Sequence, residues 1–237
     1  MFGTLVGAGG GFILMPIFFF LYPNEPPDHL IATSLAVVFF NALSGTVAYA
    51  KAGRVDYRSG IFFSLATFPG AILGAIASKY LSRQLFDPVF ATLLIMAGIY
   101  LFLRPGRAKQ TDPNQELSYS MPVGLAISAG VGFFSSILGI GGGIIHVPAL
   151  VQVLGFPVHI ATATSHFILA AMTLVGTLVH WMQGDLNWGA MKVLYLAPGA
   201  IIGAQFGAFL SKKIHGNIII RALALALASV GIRLILR

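Results

Sequence analysis

The segment GAGGGFILMP (residues 7–16) recurs as GIGGGIIHVP (residues 139–148), and six of the ten positions are identical. Both copies interrupt apolar sequence, and each opens a short apolar run, Phe12–Tyr22 or Ile144–Gly155. Runs of this length fall short of the roughly 20 residues that a helix needs to cross a bilayer. Because glycine lets the backbone turn where other residues cannot, the two copies predict helices that are broken at membrane depth.

The two glycine segments belong to a longer internal repeat. Further matching blocks follow in the same order and at nearly constant spacing: Ala32-Thr33-Ser34 with Ala163-Thr164-Ser165, Gly45-Thr46 with Gly176-Thr177, and Pro69-Gly70-Ala71-Ile72 with Pro198-Gly199-Ala200-Ile201. The sequence therefore predicts a first transmembrane repeat at residues 1–104, a polar linker at 105–120 and a second repeat at 121–237. The first repeat lacks most of the counterpart of Pro122–Leu138, so its N-terminal helix is truncated or begins upstream.

The composition is that of a membrane protein. Hydrophobic residues make up 57% of the 237 residues, charged residues only 9%, and the mean hydropathy is +0.88. The charges, with a net value of +7, fall mainly between or at the ends of apolar runs, as expected because a charge at the centre of a bilayer is costly. This pattern excludes a soluble globule and a nucleic-acid binder, and the absence of cysteine excludes a disulfide scaffold.

Seven apolar runs are long enough, or nearly so, to span the bilayer. They are Ile31–Ala50, Gly60–Ser78, Pro88–Leu103, Pro122–Leu138, Ile160–Met182, Ala190–Ser211 and Asn217–Leu236. The sequence thus predicts an all-α polytopic membrane protein made of two homologous halves. Residues 122–155 would form about 51 Å of helix, too long for one crossing, which favours an inverted repeat over a parallel one. In both arrangements the basic loops 51–58 and 104–120 are expected in the cytoplasm.

The glycine clusters Gly9–Gly11 and Gly141–Gly143 are candidate substrate-binding residues. A broken helix exposes free N–H groups and the positive end of its dipole, and an anion is a natural partner for them. Since no lysine or arginine lies in the middle of a span, backbone groups and hydroxyls would have to hold the anion in a cavity shared by both clusters. The alternative is that these glycines only permit close helix packing.

Other polar residues within the spans extend this candidate site. Thr33, Ser34, Thr164 and Ser165 form two matching hydroxyl pairs, which could ligate oxyanion oxygens or simply bond to backbone carbonyls one turn back. Asn41 and Gln205 are expected to join helices or to line the cavity. His146 and His166 are candidates for proton coupling, or are ordinary interior hydrogen-bonding residues. Tyr49, Tyr57, Trp181 and Trp188 stand near span ends, as interfacial anchors do.

The doubled glycine segments, the Ala-Thr-x-Ser-like blocks at residues 32–34 and 161–165, and the Pro-Gly-Ala-x-x-Gly-Ala blocks from Pro69 and Pro198 resemble the TauE/SafE family. The resemblance covers nearly the whole chain. It implies a multi-pass carrier in the cell inner membrane that exports sulfur-containing anions, such as sulfite or organosulfonates, using an ion gradient. A proton is a candidate coupling ion, and a homo-oligomer is compatible with the sequence. No cofactor, metal or nucleic acid is expected.

Three other classes of function compete with a secondary transporter. A passive anion channel could use the same helix ends. An intramembrane enzyme would want a nucleophile turn with a preceding glycine, which Ser44-Gly45 lacks, or a metalloprotease motif, which is absent. A membrane scaffold would have no use for two broken helices. The sequence therefore predicts a transporter and not an enzyme.

Overall fold

The computed structural model of the protein describes residues 1–103, 119–211 and 213–235. Within these ranges the regular structure is helical, as predicted, and contains no strand. The α-helices are, in chain order, α1 (Phe2–Leu5), α2 (Gly11–Leu21), α3 (Pro27–Lys51), α4 (Tyr57–Ala77), α5 (Arg83–Leu103), α6 (Met121–Leu138), α7 (Gly143–Pro148), α8 (Val158–Gln183), α9 (Ala190–Ser211) and α10 (Gly216–Ile235). A π-helical turn, Ala149–Val153, continues α7. Apart from its last two residues, the predicted linker at 105–120 lies outside the described residues.

The predicted spans correspond to helices, and the polytopic fold class is confirmed. Among the described residues, five helices are long and apolar enough to cross a membrane: α3, α4, α6, α8 and α9. Some helices begin earlier than the apolar runs suggest: α3 starts at Pro27 rather than Ile31, and α5 at Arg83 rather than Pro88. Proline suits the first position of α3 because the N–H there would have no partner within the helix. The first turns of these helices contain polar residues, so the apolar runs begin later than the helices themselves.

Helices α3 and α8 form the centre of the molecule and run antiparallel. Leu35 of α3 lies beside Gly176 of α8, whereas Gly45, further along α3, lies beside His166, further back along α8. The apolar windows of α3 and α8 are 72% and 67% buried, against 28% for α9. In the surrounding layer, α9 packs on α3, α4 packs on α8, α6 packs on α4, and α5 packs on α10.

The outer helices present large apolar side chains on the surface. Leu73 of α4, Tyr195 of α9 and Leu225 of α10 are each more than half exposed. So many exposed large apolar side chains would be unfavourable in water, but they match the hydrocarbon core of a bilayer. The surrounding helices therefore separate the α3–α8 pair from lipid, and their outer faces are apolar enough to contact lipid.

Candidate functional site

Both glycine segments form sharp turns that end one helix and begin another. We call residues 6–10 the first glycine loop and residues 139–142 the second glycine loop. Gly10 directly precedes α2 with a φ of 89°, and Gly142 directly precedes α7 with a φ of 81°. Residues with a Cβ rarely adopt these left-handed values, so glycine is required at both positions. The predicted breaks are confirmed.

The two glycine loops lie directly against each other at the centre of the molecule. A Cβ placed on Gly11 would lie 2.6 Å from the carbonyl oxygen of Ile140, and one placed on Gly143 would lie 2.1 Å from that of Gly7. The sequence predicts a cavity shared by both clusters, whereas here the two backbones are in contact. The glycines thus serve close packing at this point, which was the competing interpretation.

A cavity of about 200 Å³ opens beside the first glycine loop. Gly10 and Asn41 form part of its wall, which is otherwise largely apolar. In the described parts of the chain, the N–H groups of Gly11 and Phe12 have no hydrogen-bond acceptor. Because the first N–H groups of a helix carry the positive end of its dipole, the start of α2 provides positive polarity next to this cavity.

The predicted hydroxyls hold the loops and neighbouring backbone in place. Ser34 of α3 donates to the carbonyl oxygen of Gly139 at 2.7 Å, and Ser165 of α8 donates to that of Gly7 at 3.2 Å. Each serine therefore bonds to the glycine loop that belongs to the other half of the sequence. In this conformation both hydroxyl protons are used by the protein itself.

The two threonines of the matching pairs are engaged differently. Thr33 donates to the carbonyl oxygen of His29, one turn back in α3, at 2.8 Å. Thr164 accepts a hydrogen bond of 3.0 Å from the backbone N–H of Asp56. Thr33 therefore follows the bonding pattern expected of a threonine within a helix, and Thr164 fixes the start of α4 to α8.

Asn41 and Gln205 both join α3 to α9. Asn41 donates to the carbonyl oxygen of Ala200 at 3.1 Å and accepts from the hydroxyl of Thr4 at 3.0 Å. Gln205 donates to the backbone and side-chain oxygens of Ser44, at 2.8 Å each. Their predicted role in holding helices together is confirmed, and Asn41 also faces the cavity.

The candidate histidines are buried on different elements. The Nε2 atom of His146 on α7 lies 3.0 Å from the Ser128 hydroxyl. The ring of His166 on α8 packs edge-on against Tyr49 at 5.6 Å between centroids, and neither of its nitrogens has a hydrogen-bond partner among the described residues. His146 thus has a side-chain partner, whereas His166 has none by strict hydrogen-bond geometry and has only the backbone of Gly7 near its ring.

Two features near the glycine loops could not be found from the sequence alone. Tyr49 is fully buried and donates to the carbonyl oxygen of Thr4 at 2.7 Å, so its interpretation as an interfacial anchor is wrong. The buried hydroxyl of Ser135 has no partner in the described chain and lies next to Gly142. The Tyr49 bond joins residues that are 45 positions apart, and the sequence alone does not show that they are close. Within the described residues, no group of three acidic or histidine side chains is placed to hold a metal.

Comparison with known proteins finds a matching family and similar proteins over almost the whole chain. The family described as "Sulfite exporter TauE/SafE" matches residues 1–234. The probable membrane transporter protein YunE of Bacillus subtilis is 34% identical, with 98% of this chain and 92% of the relative covered. A probable membrane transporter protein of Xylella fastidiosa is 27% identical (98% and 89% covered), and YfcA of Escherichia coli is 24% identical (85% and 73% covered).

No solved structure matches the chain. The family match and the relatives nevertheless extend over both glycine loops and over the helices that carry the candidate residues. The relatives are named as membrane transporters and not as enzymes. The protein is a multi-pass membrane transporter, and it belongs to the TauE/SafE family.

Proposed function

We propose that the protein is a secondary transporter that exports small sulfur-containing anions, such as sulfite or organosulfonates, across the cell inner membrane. The family description supports this substrate class and direction. The observation that carries the proposal is the start of α2: Gly9 and Gly10 just before it line a cavity, and the N–H groups of Gly11 and Phe12 have no acceptor among the described residues. A helix N-terminus of this kind attracts anions without a buried cationic side chain.

We also infer that the two halves form an inverted repeat. The glycine loops rest on a matching pair of side chains, because a Cβ on either Gly9 or Gly141 would contact both Val38 and Leu169. In the sequence alignment of the halves, Gly9 pairs with Gly141 and Val38 pairs with Leu169. A two-fold axis between the halves would account for this exchange of contacts.

The direction of the central helices supports inversion rather than a parallel repeat. Helices α3 and α8 are counterparts in the alignment, and they run antiparallel. The braces from Ser34 and Ser165 to the opposite glycine loops have the same crossed arrangement. Rocking one half against the other would separate the glycine loops and expose the remaining helix start, at α7, to the substrate.

A carrier fits the packing better than a passive channel does. A channel needs a continuous open path, whereas the backbones of the two glycine loops are in contact. Transport would then require a conformational change in every cycle, and an ion gradient could drive it. His166 is the better placed of the two candidates for proton coupling, since its ring nitrogens have no side-chain partner among the described residues and its ring packs on Gly45 and Tyr49.

Flux of labelled sulfite in proteoliposomes tests this function. Asn41→Leu keeps the branching of the side chain at Cγ but removes the polar group from the cavity, and we expect sulfite flux to fall by about tenfold, which corresponds to about 1.4 kcal/mol of lost binding. Gln205→Leu is the matched control, because it removes the same group from the same helix pair outside the cavity.

The Tm of the protein with each anion and the size of the electrical current are measured alongside the flux. If wild-type protein moves no sulfite or organosulfonate, and none of them raises its Tm, the proposal fails. Equal flux in the two variants would place the substrate elsewhere. Electrical currents far above carrier turnover would favour the channel. If the flux does not change with an imposed proton gradient, the proposal of proton coupling is wrong.

A further inference from the structure

A buried carboxylate and a buried histidine meet at the end of the bundle where α8 ends. The Oδ2 atom of Asp185, just beyond α8, lies 2.9 Å from Nδ1 of His180. The backbone N–H of Asp185 also donates to the carbonyl oxygen of His180, at 3.0 Å. The two side chains are only 6% and 0% exposed. Backbone and side chain together therefore fix the Asp185 carboxylate inside the protein, against the last turn of α8.

The other carboxylate oxygen of Asp185 connects to the first half of the sequence. Its Oδ1 atom lies 3.4 Å from Nζ of Lys79, in the 3₁₀ turn Ser78–Tyr80 that follows α4. The Lys79 side chain is 38% exposed, against 6% for Asp185, so solvent reaches the pair mainly from the lysine side. One largely buried carboxylate thus ties the end of α8, in the second half, to the end of α4, in the first.

The segment that carries Asp185 covers the start of α3. We call residues 184–189 the α8–α9 loop. Its Trp188 ring stacks on that of His29 at 6.2 Å between centroids and contacts the Tyr22 ring edge-on at 5.0 Å. A Cβ on Gly189 would lie 1.7 Å from the hydroxyl oxygen of Thr33, and Thr33 is fully buried. The backbone of the α8–α9 loop therefore rests directly on α3.

The matching turn at the opposite end of the bundle carries the reverse charge. There the N–H of Arg54 donates to the carbonyl oxygen of Tyr49 at 3.2 Å, as the N–H of Asp185 does to that of His180. The Tyr49 hydroxyl bonds to the backbone of Thr4, in its own half, and Arg54 forms no ion pair in the described part of the chain. Within the described residues, this turn therefore joins the halves by an ion pair at one end only.

We propose that Asp185, held by His180 and paired with Lys79, is a lock that keeps the α8–α9 loop closed over α3. The loop can lift from Thr33 only if the ion pair to Lys79 breaks. Separation leaves a largely buried carboxylate without its cationic partner, which is unfavourable. The ion pair, the ring contacts of Trp188 and the backbone contact on α3 belong to one loop, so they are lost together.

The part that this lock plays in transport rests on the proposed function, because a carrier must open each end in turn. The lock itself does not, since opening of this end is measured without any substrate. If sulfite flux is absent but the lock variants open this end, the transport proposal fails and this inference stands. If flux is present but those variants leave this end closed, the inference fails and the transport proposal stands.

Opening is measured as the rate at which a maleimide labels Thr33→Cys in purified protein in nanodiscs. Thr33 is buried beneath Gly189, and the chain has no native cysteine. When opening and closing are faster than labelling, the rate reports the open fraction. Thr164→Cys is the matched reporter for the opposite end, because Thr164 is the counterpart of Thr33 in the repeat and is also fully buried.

Three changes are placed in each reporter background: Asp185→Asn, Lys79→Met and the two combined. Glu25→Gln is the matched control, because Glu25 pairs with His29 at 3.2 Å at the same end of the bundle. Both of those partners belong to the first half, so this pair does not join the halves. The Tm of every variant is recorded with the labelling rate.

Asp185→Asn should raise the labelling rate of Thr33→Cys by about tenfold, because it removes an ion pair and weakens a charged hydrogen bond. Lys79→Met should raise it by about threefold, since a partly exposed lysine contributes less. The double variant should label no faster than Asp185→Asn, because both changes act through the same carboxylate. Glu25→Gln should label as its parent does, and labelling of Thr164→Cys should not change.

The inference is overturned if Asp185→Asn and Lys79→Met label Thr33→Cys no faster than Glu25→Gln does. It is also overturned if Thr164→Cys gains as much as Thr33→Cys, because the whole protein would then be loosened rather than one end opened. Should Asp185→Asn give no folded protein, Lys79→Met decides the matter by the same comparison.

Discussion

At Gly143 the absence of a side chain allows the two glycine loops to meet. A Cβ at this position would lie 2.1 Å from the carbonyl oxygen of Gly7 and 2.5 Å from the Cα atom of Ala8. Both are backbone atoms, which cannot rotate away as the end of a flexible side chain can. By contrast, a Cβ on Gly130 in α6 would have no atom within 4 Å. Glycine is therefore required for packing at one position and is dispensable at the other.

The substitution Gly143→Ala should prevent the glycine loops from packing. We expect little folded protein, or a markedly lower Tm, because one methyl group in a tightly packed site already forces backbone shifts that cost about 1–3 kcal/mol. Gly130→Ala should be neutral or stabilising by up to about 1 kcal/mol, as alanine is the better helix former. Yield of monodisperse protein and melting curves in detergent measure both effects. Similar melting of Gly143→Ala and wild type would contradict the contact.

Single residues differ in how much of their role the sequence alone predicts. The repeated glycines were sufficient to predict both helix breaks, because few other residues tolerate the required φ values. The partners of Ser34 and Tyr49 were not predictable, since their acceptors lie on remote segments that only the folded chain brings close. The prediction of one cavity shared by both glycine clusters did not anticipate the contact between the loops, because the sequence does not specify how closely they approach.

Between elements, two serine hydroxyls connect the central helices to the loops. Ser34 reaches the end of α6, 105 residues away in sequence, and Ser165 reaches the end of α1, 158 residues away. Each bond joins α3 or α8 to the opposite glycine loop, so both would have to break if the halves move apart. The serines therefore stabilise the conformation in which the loops touch.

The variants Ser34→Ala and Ser165→Ala should each lower stability by about 1 kcal/mol, the usual net value of one hydrogen bond. The double variant should lose about the sum, because the two bonds are separate. Thr173→Val is the control, since among the described residues the Thr173 hydroxyl bonds within its own helix, to the carbonyl oxygens of Leu169 and Ala170. Melting curves in one detergent compare these four variants with the wild type. A double variant as stable as wild type would show that the serines do not brace the loops.

The order and length of most helices followed from apolar runs, but their positions in the bundle did not. The runs of α3 and α9 look alike in sequence, yet the apolar window of α3 is 72% buried and that of α9 is 28% buried. In a membrane protein, lipid-facing and protein-facing surfaces are both apolar. Hydrophobic periodicity therefore does not reveal which helix is central, whereas the polar residues Ser34 and Asn41 on α3 are a better guide.

Across the whole molecule, the two ends of the bundle differ in charge. The end that contains the α3–α4 loop carries Lys51, Arg54 and Arg58 with the single carboxylate Asp56 between them. At the other end, Asp185 pairs with Lys79 at 3.4 Å and with His180 at 2.9 Å. Because basic loops are retained in the cytoplasm, we expect the α3–α4 loop to be cytoplasmic.

Single-cysteine labelling tests orientation and inversion together, and the absence of native cysteine leaves no background. Lys51 and Met182 are counterparts in the predicted repeat, and both are exposed at the ends of antiparallel helices. In intact cells, a membrane-impermeant maleimide should label Met182→Cys at once and Lys51→Cys only after permeabilisation. The reverse result would overturn the orientation alone. Labelling of both cysteines from the same side would contradict the inverted repeat, and alternating access by two opposed halves would lose its structural basis.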